Sequence, residues 1–230
     1  MIENEKEKIC QMIDHTLLKP YASSSDLKQL CSEAREYHFK MVAINSYPVK
    51  MCKEFLKGSD VHVGAAIGFP LGQTTIECKC FETNEAINHG ADEIDYVINI
   101  SKLKDGDLDY IRKEMRSIKN LCEPKGIILK VILETCYLTK EEIISVCEIA
   151  KEIKPNFVKT STGFGAEGAT AENVKLMKQV VGDSVEVKAA GGIRSLDKMK
   201  AMIEAGATRI GTSSGIKIIK ELQERNYENN

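Results

Sequence analysis

Three stretches in the second half of the chain decide the fold: Ile128-Leu-Lys-Val-Ile-Leu-Glu134, Phe157-Val-Lys-Thr-Ser-Thr162 and Glu186-Val-Lys-Ala-Ala190. Each is short and apolar with β-branched residues, the composition of a strand buried on both faces. Between the first two, residues 139–153 have helical spacing and open with Thr139 followed three residues later by Glu142, a reciprocal capping pattern. Strand, helix, strand in this order makes right-handed βαβ units and a parallel sheet.

The alternation continues in both directions. Similar runs occur at 13–18, 41–45, 62–69, 93–99 and 208–213, which brings the total to eight. Eight strands in 230 residues fit a compact (β/α)8 TIM barrel with an extra N-terminal helix, rather than an open doubly wound sheet. One long helix is expected over 103–122, where Leu108, Ile111, Met115, Ile118 and Leu121 recur every three or four residues. Asn88-His-Gly-Ala-Asp-Glu-Ile and Glu204-Ala-Gly-Ala-Thr-Arg-Ile share one plan, with Gly90 and Gly206 as helix stops. The expected organisation is one domain over 1–230, with a helix in 1–12 and a frayed tail from 223.

Composition excludes several functions. With 32 basic and 34 acidic residues the formal charge is −2, which lacks the basic excess that nucleic acid or an anionic membrane surface attracts. An apolar content of 43% is enough to offset the entropy of ordering. No run approaches the length of a membrane span, and the charged start does not read as a signal peptide. The eight cysteines are scattered without a Cys-x-x-Cys pair, and five fall in segments that read as helices. Reduced thiols and a cytoplasmic location are expected. The four histidines have no metal-binding spacing, Cys78 and Cys80 point to different sides of a helix, and His15 reads as a hydrogen-bonded barrel residue.

Lys130, Lys159 and Lys188 are separated by 29 residues each time, which suggests equivalent heights on three neighbouring strands. A lysine in such a strand must pair, reach out at the strand end, or react. Asp95, on the adjacent strand, and Glu134 are the available partners. Two ammonium groups on adjacent strands approach to roughly 5 Å, and at a dielectric of about 20 their repulsion is roughly 3 kcal/mol, or about two pK units off one amine. Desolvation lowers it further. A partly neutral amine attacks carbonyls, so the pattern reads as a Schiff-base lysine with a cationic neighbour and Asp95 as proton shuttle.

Three further stretches follow the last three strands: Lys159-Thr-Ser-Thr-Gly163, Ala190-Gly191-Gly192-Ile-Arg194 and Gly211-Thr-Ser-Ser-Gly215. In barrels these loops and a helix N-terminus commonly hold phosphate, with Ser213 and Ser214 adding donors. Asn45, at the end of the second strand, is suited either to bonding a substrate or to stabilising the turn before Tyr47-Pro48.

The segments IDHTLLKP (13–20), GADEIDYVINI (90–100), ILKVILET (128–135), FVKTSTGF (157–164), VKAAGGIR (187–194) and IGTSSG (210–215) resemble the motif set of the deoxyribose-phosphate aldolase family, in that family's order and over residues 10–222. The resemblance implies a class I aldolase that needs no metal or cofactor. It reversibly cleaves 2-deoxy-D-ribose 5-phosphate to D-glyceraldehyde 3-phosphate and acetaldehyde. It further implies Lys159 as the Schiff-base lysine, Lys188 as its pK-lowering partner, Asp95 as the acid/base group acting with a water, and Lys130 as support for Asp95. Gly163, Gly191, Gly192, Ser213 and Ser214 match the phosphate positions. Small phosphorylated sugars and aldehydes would be the partners, and a homodimer or other homo-oligomer the assembly. The sequence departs from the family at Val42-Ala43-Ile44-Asn45-Ser46, where a cysteine is usual before the asparagine, and Tyr227 takes no role. Two other readings stay open: another Schiff-base sugar-phosphate aldolase or transaldolase-type barrel, and a non-catalytic sugar-phosphate-binding barrel.

Overall fold

The structure, a computed structural model, describes residues 2–228, with side chains over 5–226. After an N-terminal helix, α1 (Ile2–Cys10), strands and helices alternate: β1 (Ile13–Thr16), α2 (Ser24–Glu36), β2 (Met41–Asn45), α3 (Val49–Phe55), β3 (His62–Ile67), α4 (Ile76–Asn88) and β4 (Glu93–Val97). The chain continues with α5 (Ile100–Lys104), α6 (Leu108–Cys122), β5 (Ile128–Ile132), α7 (Lys140–Ile153), β6 (Phe157–Lys159) and α8 (Ala171–Val181). It ends with β7 (Glu186–Ala190), α9 (Leu196–Glu204), β8 (Arg209–Thr212) and α10 (Gly215–Glu228). The eight strands are parallel and close into a barrel in sequence order, β8 pairing with β1. Each expected strand is present.

Local signals set the helix ends. Thr139 and Glu142 form the capping box that starts α7. Gly90 and Gly206 stop α4 and α9 with φ of 101° and 110°. The single helix expected over 103–122 is instead two, α5 and α6, because Gly106 turns at φ 74° and Asp107 caps the second. The tail expected to fray is helical through Glu228, where Ile218, Ile219 and Leu222 bury one face of α10 against the core; residues 229 and 230 lie outside the described residues. Seven cysteines, rather than five, sit on α-helices, and all eight are free thiols. Among the described residues no helix is long and apolar enough to cross a membrane.

Two layers follow from the period of two along each strand. One set of strand residues, including Val42, Ile44, Val63, Ile94, Val131 and Val187, packs outward into the helices. The alternate set, including Met41, Asp95, Lys130, Lys159, Lys188 and Arg209, fills the barrel. The three lysines do not share one row. Lys159 pairs with Lys188 across β6 and β7 and with Ile132 across β5, whereas Lys130 pairs with Asp95 and Phe157, two residues earlier. Strands of a closed barrel are sheared past one another, so equal spacing in sequence does not give equal height.

Candidate active site

Asp95 sits at the centre of the barrel and is shared by three lysines. Lys159 and Lys188 each donate to its Oδ2 at 2.7 Å, and Lys130 donates to Oδ1 at 2.7 Å. All four side chains are buried. Lys188 also pairs with Asp14, and Lys130 with Glu93 at 2.5 Å. Register delivers this grouping, because Asp95 lies level with Lys130 and Lys159 level with Lys188.

The electrostatics divide the lysines. Burial is the largest influence on Lys159 and lowers its amine to about 8; the Asp95 carboxylate opposes this, and Lys188 and Lys130 lower it further. The sequence assigned the leading share to Lys188, but desolvation comes first. For Lys130 burial works downward too, yet Asp95, Glu93 and Asp14 hold its amine above the usual range. Burial alone would raise Asp95; the three cations overcome it and keep the carboxyl well below its ordinary value. Asp95 is therefore a carboxylate at neutral pH, and the Lys159 amine loses its proton more readily than an ordinary lysine.

Lys159 ends β6 and opens onto a cavity of about 600 Å³ at the carboxyl ends of the strands. Gly163, Gly191, Gly192 and Ser213 line the same cavity, together with Arg194. Gly163, Gly191 and Gly192 have φ of 88°, 87° and 70°, a left-handed backbone that glycine adopts without a Cβ penalty. Thr212 Oγ1 accepts from Ser214 N at 2.9 Å, and the first turn of α10 starts from the Ser214 carbonyl. The orphan N–H groups of such a helix N-terminus suit an anion. Ser214 itself lines a neighbouring hollow rather than this cavity.

The loops after β6 and β7 are tied together. Ala169 N donates to the carbonyls of Ala190 and Gly191, and Thr160 Oγ1 accepts from Ala190 N. Gly168 and Gly191 touch backbone to backbone, and a Cβ on Gly168 would lie 2.1 Å from the Gly191 oxygen. Glu134 does not pair with a lysine. It accepts from Thr162 N and Oγ1, which fixes the loop carrying Gly163; burial pushes its carboxyl upward. Asn45 donates to the Leu18 carbonyl at 3.3 Å, tying the end of β2 to the loop after β1, and is not among the residues lining the cavity. His15 bonds Glu33 at 2.7 Å, and both residues line the cavity.

Asp14, Glu93 and Arg209 are the buried site groups that sequence reasoning missed. Arg209 donates to Asp14 Oδ1 at 2.8 Å and to Glu93 Oε1 at 3.0 Å. Their only local signal is a charge at an inward strand position. Among the described residues no group of three or more His, Cys, Asp or Glu side chains is arranged to hold a metal ion.

Comparison with known proteins agrees with this geometry. The family profile described as DeoC/LacD family aldolase matches residues 8–221. The deoxyribose-phosphate aldolase of Lactobacillus acidophilus is 58% identical over 94% of this chain and 92% of its own length. That of Thermococcus gammatolerans is 55% identical over 92% and 95%. Among solved structures, the aldolase QR15 superposes with a TM-score of 0.90 at 39% identity, covering 96% of this chain and 99% of its own. The deoxyribose phosphate aldolase of Aeropyrum pernix, described as tetrameric, gives 0.90 at 29% identity over 96% and 93%. On that family match and these identities, the chain belongs to the DeoC/LacD family of aldolases.

Proposed function

We propose that the protein is a deoxyribose-phosphate aldolase that reversibly cleaves 2-deoxy-D-ribose 5-phosphate to D-glyceraldehyde 3-phosphate and acetaldehyde through an imine on Lys159. The observation that carries this reading is the buried Lys159 amine, lowered to about 8 and opening onto the cavity. Near neutral pH a useful fraction is uncharged and nucleophilic.

In the cleavage direction Lys159 Nζ attacks C1 of the open-chain sugar, and loss of water gives the imine. A water beside Asp95 takes the proton of the C3 hydroxyl. The C2–C3 bond then breaks, its electron pair moving into the C1–C2 enamine, and C3 leaves as the aldehyde of glyceraldehyde 3-phosphate. Protonation at C2 and hydrolysis release acetaldehyde and restore the amine. Lys188 and Asp95 keep the local charge in place and move the protons. Gly163, Gly191, Gly192 and Ser213 hold the phosphate through backbone N–H groups and the Ser213 hydroxyl, with Ser214 beside them at the start of α10. The free thiols fit a reducing cytoplasm, and the assembly is a homo-oligomer.

The test is reductive trapping. Acetaldehyde with borohydride, in the presence of EDTA, should fix a two-carbon adduct on Lys159, located by peptide mapping. Label on another lysine, or sugar-phosphate binding without any adduct, refutes the assignment.

A further inference from the structure

The buried polar side chains of the barrel form a closed circuit. Asp14 on β1 pairs with Lys188 on β7, Lys188 with Asp95 on β4, and Asp95 with Lys130 on β5. Lys130 pairs with Glu93 on β4, Glu93 with Arg209 on β8, and Arg209 with Asp14 again. Three carboxylates alternate with three cations, so the circuit is neutral when every member is ionised. Lys159 hangs from it through Asp95 and is the seventh charge, without a match inside the circuit. In a medium this dry an unmatched cation is the costly member. The core sheds its excess charge by releasing the Lys159 proton.

We infer that Arg209, together with Glu93 and Asp14, is a positioning group for the reaction: it closes the circuit in its neutral state and so leaves Lys159 as the one amine free to deprotonate. The inference rests on Lys159 being the imine-forming amine and extends the machinery to the far side of the barrel. An arginine suits the place because its planar fork reaches two acids at once, Nη1 to Asp14 and Nη2 to Glu93, while the Phe157 ring lies against it at 5.5 Å. The charged groups facing Lys159 are Asp95 from β4, Lys130 from β5, Lys188 from β7 and Glu134 from the loop after β5. Asp14, Glu93 and Arg209 stand behind them, and His62 from β3 bonds Glu93 at 2.7 Å.

Charge bookkeeping gives the two substitutions opposite signs. Arg209→Met leaves the circuit one unit negative; a protonated Lys159 restores neutrality, so the acid limb of imine formation moves to higher pH. Glu93→Gln leaves it one unit positive and moves the limb to lower pH. Each shift should be about one pH unit, a tenfold change in the neutral amine on the acid side. Arg209→Met with Glu93→Gln should return the limb near its original place, and Arg209→Lys, which keeps the charge, should hold it.

The experiment follows the rate of borohydride trapping of the acetaldehyde adduct against pH in the full-length enzyme and its variants, with the adduct mapped and folding checked by thermal melts. Opposite shifts that cancel in the double variant support the inference. Shifts of the same sign, or none, with label still on Lys159, overturn it, because a purely structural network lowers activity without moving the limb. Should Arg209→Met fail to fold, Glu93→Gln must still lower the limb and the double variant must bring it back; a double variant that stays low overturns the inference. Label on a different lysine in the unaltered enzyme overturns the functional reading and this inference with it.

Discussion

Lys79 and Lys159 are both buried lysines held by a carboxylate, one outside the barrel wall and one inside. Lys79 on α4 donates to Glu114 Oε1 on α6 at 2.6 Å and to the Val97 carbonyl at 2.6 Å, while Glu114 Oε2 accepts from Asn99 N. One cation meets one acid, and their other contacts go to the backbone at the end of β4 and just beyond it. Burial leads both groups towards neutrality, lowering Lys79 and raising Glu114. Lys159 instead shares Asp95 with two other lysines and faces a cavity. A matched pair with no access acts as a brace. An amine that must compete for its acid, and that a carbonyl can reach, is suited to act as a nucleophile.

The comparison breaks first at Lys159. Lys159→Met should lower aldolase turnover by at least about a thousandfold at every pH, since no amine remains to form the imine. Stability should move the other way. The folded amine near 8 lies below its unfolded value of 10.5, so between those values the unfolded chain binds the extra proton and stability rises with pH; below about pH 8 the protein carries the full cost. The difference corresponds to up to about 3 kcal/mol, which Lys159→Met should recover at pH 7 and not at pH 10.5. Urea denaturation at the two pH values measures it, and a variant destabilised at pH 7 would contradict the account.

At Lys79 the expected loss is of structure. Lys79→Met strands Glu114 in an apolar setting and should destabilise the protein by about 3 kcal/mol, with turnover per folded molecule preserved. Adding Glu114→Leu should return stability to within about 1 kcal/mol of the original, because a buried pair exchanged for apolar residues of similar volume is nearly neutral. A double variant as weak as the single would mean that the Val97 and Asn99 contacts, rather than the charge, are what the brace supplies.

The smallest effect belongs to Lys188. Lys188→Leu removes one repelling cation while burial of Lys159 persists, so imine trapping at pH 7 should fall by about tenfold and recover as pH rises towards 10. An unmoved pH profile would assign the lowered amine to burial alone.

The barrel was legible in the sequence because every strand is a short apolar run bounded by polar or glycine-rich turns, a pattern set by local chemistry. The break at Gly106 was not, since apolar spacing on α5 and α6 continues across it. Lys159, Lys188 and Asp95 stood out as charges within apolar strands. Arg209 and Glu93 open their strands beside Thr208 and Asp92, where a charge reads as solvent-facing. Their pairing joins residues far apart in the chain, which no local spacing encodes. The placing of Lys130 two residues below the other lysines depends on barrel shear, a property of closure.

The lacing of the loops after β6 and β7 has a consequence for chain length. Lys159 and Gly163 stand at one side of that seam and Gly191 and Gly192 at the other, and Ala169 N joins the two through the carbonyls of Ala190 and Gly191. Under the proposed function, the imine carbon and the phosphate would thus be held from the two sides of one backbone seam. The gap across the seam would then set how many carbons a substrate places between its carbonyl and its phosphate. Acceptance of a longer or shorter sugar phosphate would have to come from resetting the seam at Gly168 and Gly191, where a Cβ on either residue would meet the opposing backbone within 3 Å.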